Sequence, residues 1–138
     1  MREIIFRGKK PITENWVYGT GLLYDSINTW LVDNPSHKAI AFGEEHYQVV
    51  PETVGQYIGL TDKNGVKIFE GDICRFREWS NGDMCWVGRV HYEHQQFVIS
   101  GEKNKECATP FTLVMSRFIP ENIEVIGNIH DNPELIKM

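Results

Sequence analysis

The sequence predicts an all-β protein with minimal helix. Short apolar runs recur along its 138 residues, and Gly, Asn, Asp and Pro separate them, which is the pattern of β-strands joined by tight turns. Many of the runs are rich in Ile, Val, Phe, Trp and Tyr, whose branched or flat side chains suit a pleated sheet. Asn-Gly pairs at 64–65 and 81–82 lie between such runs, and Asn-Gly is the strongest local signal for a β-hairpin.

The predicted strands follow one another closely along the whole chain. We expect the segment 73–100 to form an antiparallel meander that turns at Asn81-Gly82 and again at Glu93-His94-Gln95. The last strand should return to pair with this meander. The predicted strands are Glu3–Arg7, Trp16–Tyr24, Thr29–Val32, Ala39–Phe42, Tyr47–Val50, Gln56–Leu60, Val66–Phe69, Ile73–Trp79, Cys85–Tyr92, Phe97–Ser100 and Ile123–Ile129.

The predicted architecture is a single domain, 1–138, with two parts. Residues 1–50 form an N-terminal β unit, and residues 51–138 form an SH3-like or related small barrel. Gly71 and Gly88 interrupt strand-like runs, which predicts the bulges or tight bends that a small barrel needs at its corners.

Two segments carry helix signals. A capping residue followed by Pro133 predicts a final turn or two of helix in Asp131–Ile136. Residues 109–118 begin with the same Thr-Pro signal, but they also contain β-branched residues that favour a strand. The sequence leaves helix and strand open for this segment.

Composition and charge narrow the classes of function. The 14 basic and 19 acidic residues give a net charge of −5, so long-range attraction to nucleic acid or anionic lipid is not expected, although a local basic patch is allowed. Cys74, Cys85 and Cys107 are an odd number with no close pair, which favours unbridged thiols in a reducing compartment. No signal peptide or membrane span is recognisable, so we expect a cytoplasmic protein.

Alternation along Cys85–Glu93 predicts which side chains face the core. Trp86, Val90 and Tyr92 share one parity and should face inward. Val87, Arg89 and His91 share the other parity and should face solvent.

Three runs in the sequence form a specific pattern. The central run is VVPETVGQY (49–57), continued by GLTDKNG (59–65) and IFEGDI (68–73). The opening run is MREIIFRGK (1–9) with WVYG (16–19), and the closing run is EVIGNIHDNPEL (124–135). Together these runs resemble the YopX family of phage and prophage proteins. The resemblance implies a mainly β fold and a phage-derived gene expressed in a bacterial cytoplasm. It brings no accepted activity, cofactor or site.

Two groups of residues have the chemical character of metal ligands. Cys74, Cys85 and Cys107, with His91 and His94, could suit zinc, but only His91-x-x-His94 has a ligand spacing, so buried thiols and surface histidines are favoured.

Asp62, Glu70 and Asp72 could hold Mg²⁺. A turn residue and two strand-end residues that bond to the backbone are the favoured interpretation. We expect no metal, no cofactor and no catalytic residue.

One group of residues suggests a binding surface. Arginines beside exposed aromatic rings on a small barrel can hold single-stranded nucleic acid by charge and stacking. The alternative is that the tryptophans are core or oligomer contacts and the arginines pair with nearby glutamates. The candidate residues are Arg75, Arg77, Trp79, Trp86, Arg89 and His91.

These observations favour a protein that binds without catalysing a reaction. We expect a homo-oligomer whose contacts use part of the N-terminal unit or an edge strand, because the large aromatic residues fall in several different strands. The alternative function is a nucleic-acid-binding accessory protein that uses the Arg/Trp face.

Overall fold

The structure is a computed structural model that describes residues 3–32, 46–77, 86–101 and 111–136. Strand makes up 57% of the described residues, and none of their helices reaches seven residues, which confirms the mainly β prediction. The described strands are β1 (Phe6–Lys9), β2 (Trp16–Gly19), β3 (Gly21–Tyr24), β4 (Thr29–Val32), β5 (His46–Val49), β6 (Gly55–Thr61), β7 (Lys67–Phe69), β8 (Asp72–Phe76), β9 (Trp86–Glu93), β10 (Gln96–Gly101), β11 (Phe111–Val114) and β12 (Ile123–Asn128). Single 3₁₀ turns cover Pro51–Thr53, Met115–Arg117, Pro120–Asn122 and Pro133–Ile136.

The chain divides into two compact units, Met1–Tyr57 and Ile58–Met138. The predicted strand Ala39–Phe42 lies outside the described residues.

In the first unit, β1 pairs antiparallel with β2 and with the start of β6. Strands β3, β4 and β5 form a separate antiparallel sheet in that order. The single run predicted over Trp16–Tyr24 is therefore two strands in different sheets. The change occurs at Thr20, whose N–H donates to the carbonyl of Val32. Leu31, Val32 and Val49 are buried and form the core of this unit.

In the second unit, a five-stranded antiparallel sheet has the order β11-β10-β9-β8-β12. This order confirms the predicted meander and the return of the last strand, because β12 pairs with β8. β8 and β9 pair antiparallel, as expected for the predicted hairpin, but Phe76 lies opposite Trp86, whereas a two-residue turn at Asn81-Gly82 would place it opposite Val87. Asn81 and Gly82 lie outside the described residues.

The reversal between β9 and β10 is a two-residue turn. His94 and Gln95 have φ values of 51° and 67°, and Glu93 lies opposite Gln96. Two central residues with positive φ are the pattern of a type I′ turn, which usually selects Asn and Gly. The reversal was predicted at this position, but the residues that form it are unusual for its geometry.

Two glycines have backbone roles that side chains would disturb. Gly71 has φ +90° in the turn between β7 and β8. A Cβ on Gly88, within β9, would lie 2.7 Å from the carbonyl oxygen of Ser100 on β10. Gly88 therefore permits a close approach of two backbones.

The prediction of a closed barrel is wrong, because none of the sheets of the described residues closes on itself. The outer edge of β12 bonds to a turn instead of to another strand of its sheet. The N–H of Lys63 donates to the carbonyl of Ile123, and the N–H of Val125 donates to the carboxylate of Asp62. This turn takes up the edge that barrel closure would need.

An aromatic cluster around Phe76 lies in the core of the second unit. The Phe76 ring is fully buried and contacts Trp86, Phe111 and Phe118 at centroid distances of 6.2, 5.4 and 5.0 Å. The buried core residues around it are Ile68, Cys74, Val90, Ile99, Met115 and Ile123. Aromatic pairs at these distances add packing energy beyond their buried area.

The ambiguous segment 109–118 contains a strand. β11 covers Phe111–Val114 and a single 3₁₀ turn follows, while residues 109 and 110 lie outside the described part. The predicted final turn is confirmed at Pro133–Ile136.

The Asp62 carboxylate links the Asn64-Gly65 turn to β12. One carboxylate oxygen accepts the N–H groups of Asn64 and Val66 at 2.8 and 2.9 Å, and the other accepts the N–H of Val125 at 2.9 Å. Asp62 is only 2% exposed, so water cannot readily replace these bonds. Gly65 completes the turn with φ +80°.

Replacing Asp62 should weaken the second unit markedly. Asp62→Ala removes the acceptor for three N–H groups and should lower the free energy of unfolding by about 3 kcal/mol. Asp62→Asn keeps one carbonyl acceptor and should cost about half as much. Urea denaturation measures both, with Glu134→Ala on the surface of the same unit as the control. Losses equal to that of the control would contradict the assigned role.

Candidate binding surfaces

The predicted Arg/Trp face is only partly assembled by the described residues. Arg75 of β8 lies opposite Val87 of β9, and directly opposed residues in an antiparallel pair share a face. Arg89 and His91 follow Val87 at alternate positions, so they lie on the same face as Arg75. Arg75 and Arg89 are exposed, and His91 is half-buried.

Trp86 lies on the opposite face of the sheet. It faces inward with Phe76, and its ring meets Phe111 edge-on at 5.3 Å. Its alternation with Val90 predicted this inward position. Tyr92 has the same parity but is 56% exposed, so its predicted core position is wrong. Tyr92 lies at the end of β9 beside the reversal and packs edge-on against Phe97 at 5.2 Å.

The remaining members of the predicted face differ in their surroundings. Arg77 is half-buried, and its guanidinium donates to the side chain of Asn122 and to the carbonyl of Glu121, both at 3.2 Å. Arg77 therefore anchors the loop before β12. Trp79 lies outside the described residues. Whether these residues bind a partner stays a prediction.

Acidic side chains offset part of the positive charge on this face. Glu124 of β12 lies 3.9 Å from the Arg75 guanidinium and 3.2 Å from the Lys63 ammonium. All three side chains are partly exposed, so each pair contributes little to stability. Their charges nevertheless reduce the attraction that Arg75 can offer to an anion.

Ser100, His91 and Glu93 contact one another in the order of the nucleophile, base and acid of a catalytic triad. The Nε2 atom of His91 lies 2.8 Å from the Ser100 hydroxyl, and its Nδ1 atom lies 3.7 Å from a Glu93 carboxylate oxygen. The second distance exceeds that of a hydrogen bond, so the acid does not fix the imidazole tautomer. The three residues lie on β9 and β10, an antiparallel pair. They line neither the groove beside Lys10 and Tyr47 nor the groove beside Leu60 and Phe97.

Some of the candidate metal ligands lie apart from one another, and others accept hydrogen bonds from backbone N–H groups. Cys74 is fully buried among apolar side chains, while Cys85 and Cys107 lie outside the described residues. The Asp72 carboxylate is buried and accepts the N–H of Phe69 at 2.7 Å, and the Asp62 carboxylate accepts three backbone N–H groups. No three His, Cys, Asp or Glu side chains of the described ranges gather as metal ligands.

An exposed apolar surface at the tip of the β3–β4 hairpin was not predicted as a site. Leu23, Tyr24 and Ile27 are 42, 78 and 83% exposed. The turn between the strands is held by Asp25, whose carboxylate accepts the N–H groups of Ile27 and Asn28. These bonds lower the pKa of Asp25. This surface could have been predicted from Leu23 and Tyr24, which are adjacent apolar residues in a run without charged residues.

A surface where cations lie over aromatic rings, on β1 and β2, was also missed. The Arg7 guanidinium and the Lys9 ammonium lie over the Trp16 ring, at 4.6 and 5.6 Å from its centroid. Tyr18 lies opposite Arg7 and therefore shares this face. Arg7 and Lys9 are two positions apart in the sequence, and so are Trp16 and Tyr18. This spacing is the signal from which the surface could have been predicted.

Each unit also has a shallow groove. In the first unit a groove of about 340 Å³ is lined by Lys10, Pro11, Ile12, Thr13, His46, Tyr47 and Gln48. In the second unit a groove of about 290 Å³ is lined by Ile58, Gly59, Leu60, Gln96, Phe97, Met115, Ser116 and Phe118. In the described part of the chain, no helix has the length and apolar character needed to cross a membrane.

Comparison with known proteins finds a matching family and a solved structure of similar fold. The profile of the family described as "YopX protein" matches residues 5–137. No protein with a curated description matches the sequence. The crystal structure of protein EF1440 from Enterococcus faecalis is similar over 97% of this chain and 98% of that chain, with a TM-score of 0.56 and 23% identity. At this level of identity the similarity shows a shared fold alone.

The pKa of His91 tests how the charged residues around its imidazole are arranged. Burial lowers the pKa of His91 below 6.5, the charge of Arg89 lowers it further, and Glu93 and Glu70 act in the opposite direction. NMR titration should therefore give a pKa below 6.5 in the folded protein, and Arg89→Gln should raise it. A pKa of 6.5 or higher would contradict this arrangement.

The sign of the pH effect on stability follows from this shift. The unfolded chain binds the proton of His91 more tightly than the folded protein does. The stability due to neutral His91 is complete above pH 6.5 and is lost as the pH falls from 6.5 through the lower folded value. Urea denaturation of the parent protein and of His91→Gln, at pH values above and below this range, measures this contribution to stability.

Proposed function

Because this chain belongs to the YopX protein family, whose profile spans residues 5–137, we propose that it is a phage- or prophage-encoded protein of the bacterial cytoplasm that acts by binding. It catalyses no reaction, and its first partner is a second copy of itself. The observation that carries the proposal is that, among the described strands, β3 lies at the edge of its sheet beside an exposed apolar tip.

The edge of β3 suits strand pairing between copies. Proteins usually protect edge strands with charges, prolines or bulges. β3 has the sequence Gly-Leu-Leu-Tyr and carries none of these. By contrast, β12 at the edge of the five-stranded sheet carries Glu124, has a bulge between Val125 and Gly127, and bonds to the Asp62 turn.

The backbone of β3 has groups in position for such pairing. The N–H of Asp25 donates to the carbonyl of Asn28 at 3.0 Å, so these two residues form a hydrogen-bonded pair. Because bonding alternates along an antiparallel ladder, the N–H and carbonyl of Tyr24 point away from β4. A second β3 in antiparallel orientation can accept and donate there.

Charge and symmetry favour a second copy over a charged partner. Two chains of net charge −5 repel each other, so their contact needs a surface with little charge. The apolar tip supplies one, because Asp25 is its only acidic residue and its carboxylate is held by the turn. A two-fold axis across β3 would bury the same apolar residues from both copies.

The proposal that the protein is not an enzyme rests on Ser100 and His91. Among the described residues, this pair and Glu93 come nearest to a catalytic arrangement. The long contact to Glu93 and the open sheet face leave the serine without a fixed base or an enclosed site. The Ser100 hydroxyl then serves as a cross-strand hydrogen-bond partner of His91.

Light scattering at tens of micromolar tests self-association. The protein should give the mass of a dimer. Tyr24→Pro removes the outward N–H without removing a bond to β4, and Leu23→Lys places a charge at the edge. Both variants should be monomeric with unchanged circular dichroism.

Tyr92→Lys is the matched control, because Tyr92 is similarly exposed but lies in the second unit. This variant should remain a dimer. A monomeric parent protein, or dimers that survive both β3 changes, would rule out the β3 contact.

A reactive-serine probe tests the absence of catalysis separately. Incubation with an alkyl fluorophosphonate, followed by mass spectrometry, should leave Ser100 unlabelled. The protein should also hydrolyse p-nitrophenyl acetate no faster than Ser100→Ala does. Stoichiometric labelling of Ser100 that is abolished by His91→Gln would show an activated nucleophile and refute the non-catalytic proposal.

A further inference from the structure

We propose that the face of β1 and β2 that carries Arg7, Lys9, Trp16 and Tyr18 binds single-stranded nucleic acid. This surface is distinct from the β3 edge and from the predicted Arg/Trp face of the second unit. The proposal therefore stands or falls independently of self-association. It rests on charge, on exposed aromatic surface and on the strand register that places the two together.

Positive charge is concentrated on one strand of a negative protein. Arg7, Lys9 and Lys10 lie within four consecutive residues, although the chain has a net charge of −5. Arg7 and Lys9 lie over the same Trp16 ring, at 4.6 and 5.6 Å from its centroid. The ring attracts each cation, but the two cations repel each other. A phosphate group beside them would be attracted by both cations.

Each of the two cations has a separate role. Arg7 is only 7% exposed, so its guanidinium lies beneath the surface against the Trp16 ring. Lys9 is half-buried, and its long side chain can reach a phosphate directly. Its backbone is fixed by the N–H that donates to the Thr53 hydroxyl at 2.9 Å.

Tyr18 supplies a surface on which a base can stack. It lies opposite Arg7 on β2 and is 52% exposed. Bases stack on aromatic side chains without regard to sequence, and a neighbouring positive groove tracks the backbone. The β1–β2 pair has both elements on one face. On the second-unit face, by contrast, Trp86 is turned inward and Arg75 lies near Glu124.

A second aromatic–cation pair follows at the end of β1. The Lys10 ammonium lies 5.4 Å from the centroid of the Tyr47 ring, within the groove of about 340 Å³. Lys10 follows directly after β1 and supplies a further cation beside this groove. The ligand inferred is a single strand with flexible, unpaired bases, because a duplex hides the base faces that Tyr18 would contact.

Cation–π contacts of this kind also stabilise folds without any ligand, and the experiment must separate the two roles. Fluorescence anisotropy of a labelled oligothymidylate of about 12 nucleotides measures binding at low salt. We expect a dissociation constant in the micromolar range that rises with salt. An abasic strand of the same length and charge should bind several-fold more weakly, because it has no bases to stack.

The variants test the lysines and the tyrosine separately. Lys9→Gln with Lys10→Gln should weaken binding at least about tenfold and reduce the slope of log K against log salt by about 1.4, at roughly 0.7 per phosphate contact. Tyr18→Ala should weaken binding about tenfold, whereas Tyr18→Phe should retain most of it. Thermal melting and circular dichroism check that each variant is folded.

Lys63→Gln with Lys67→Gln is the matched control, because it makes the same change in net charge within the second unit. This control should bind as the parent protein does. No measurable binding by the parent protein would overturn the proposal. Equal weakening in both double variants, or equal binding of the abasic strand, would show a general charge effect and would overturn it as well.

Discussion

The carboxylate of Asp62 is the contact on which the sheet of the second unit depends. It accepts N–H groups from the Asn64-Gly65 turn and from Val125, which is 63 residues further along the chain. Because the contact joins a tight turn to the outer edge of β12, it fixes the last strand beside β8 and ends the sheet there. The sheet remains open for the same reason.

Much of the fold was predictable because its signals are local. Alternating side chains and tight turns lie within a few residues of the strands they specify, and the meander from β8 to β10 follows directly from them. The division of Trp16–Tyr24 between two sheets was not predictable, because the run has the same apolar character on both sides of Thr20. Barrel closure failed as a prediction because the contact that prevents it is long-range.

The candidate Arg/Trp face illustrates what alternation can and cannot decide. Trp86 and Arg89 are three positions apart on one strand, so they must point to opposite sides of the sheet. Their parity therefore excluded a shared face. Alternation does not indicate that the Arg77 side chain binds the loop of Asn122, because that contact is a hydrogen bond between distant residues. The aromatic–cation face of β1 and β2 depends likewise on register, which joins residues that look unrelated in sequence.

Hydrogen–deuterium exchange at two protein concentrations tests the central claim, which is that the protein acts by binding and first binds itself through β3. The amide of Tyr24, which points away from β4, should exchange at least about tenfold more slowly at high concentration than at low concentration. Amides of β12, whose edge bonds to the Asp62 turn, should exchange at the same rate in both. Exchange in β3 that is independent of concentration, or protection that arises in β12 instead, would contradict the account.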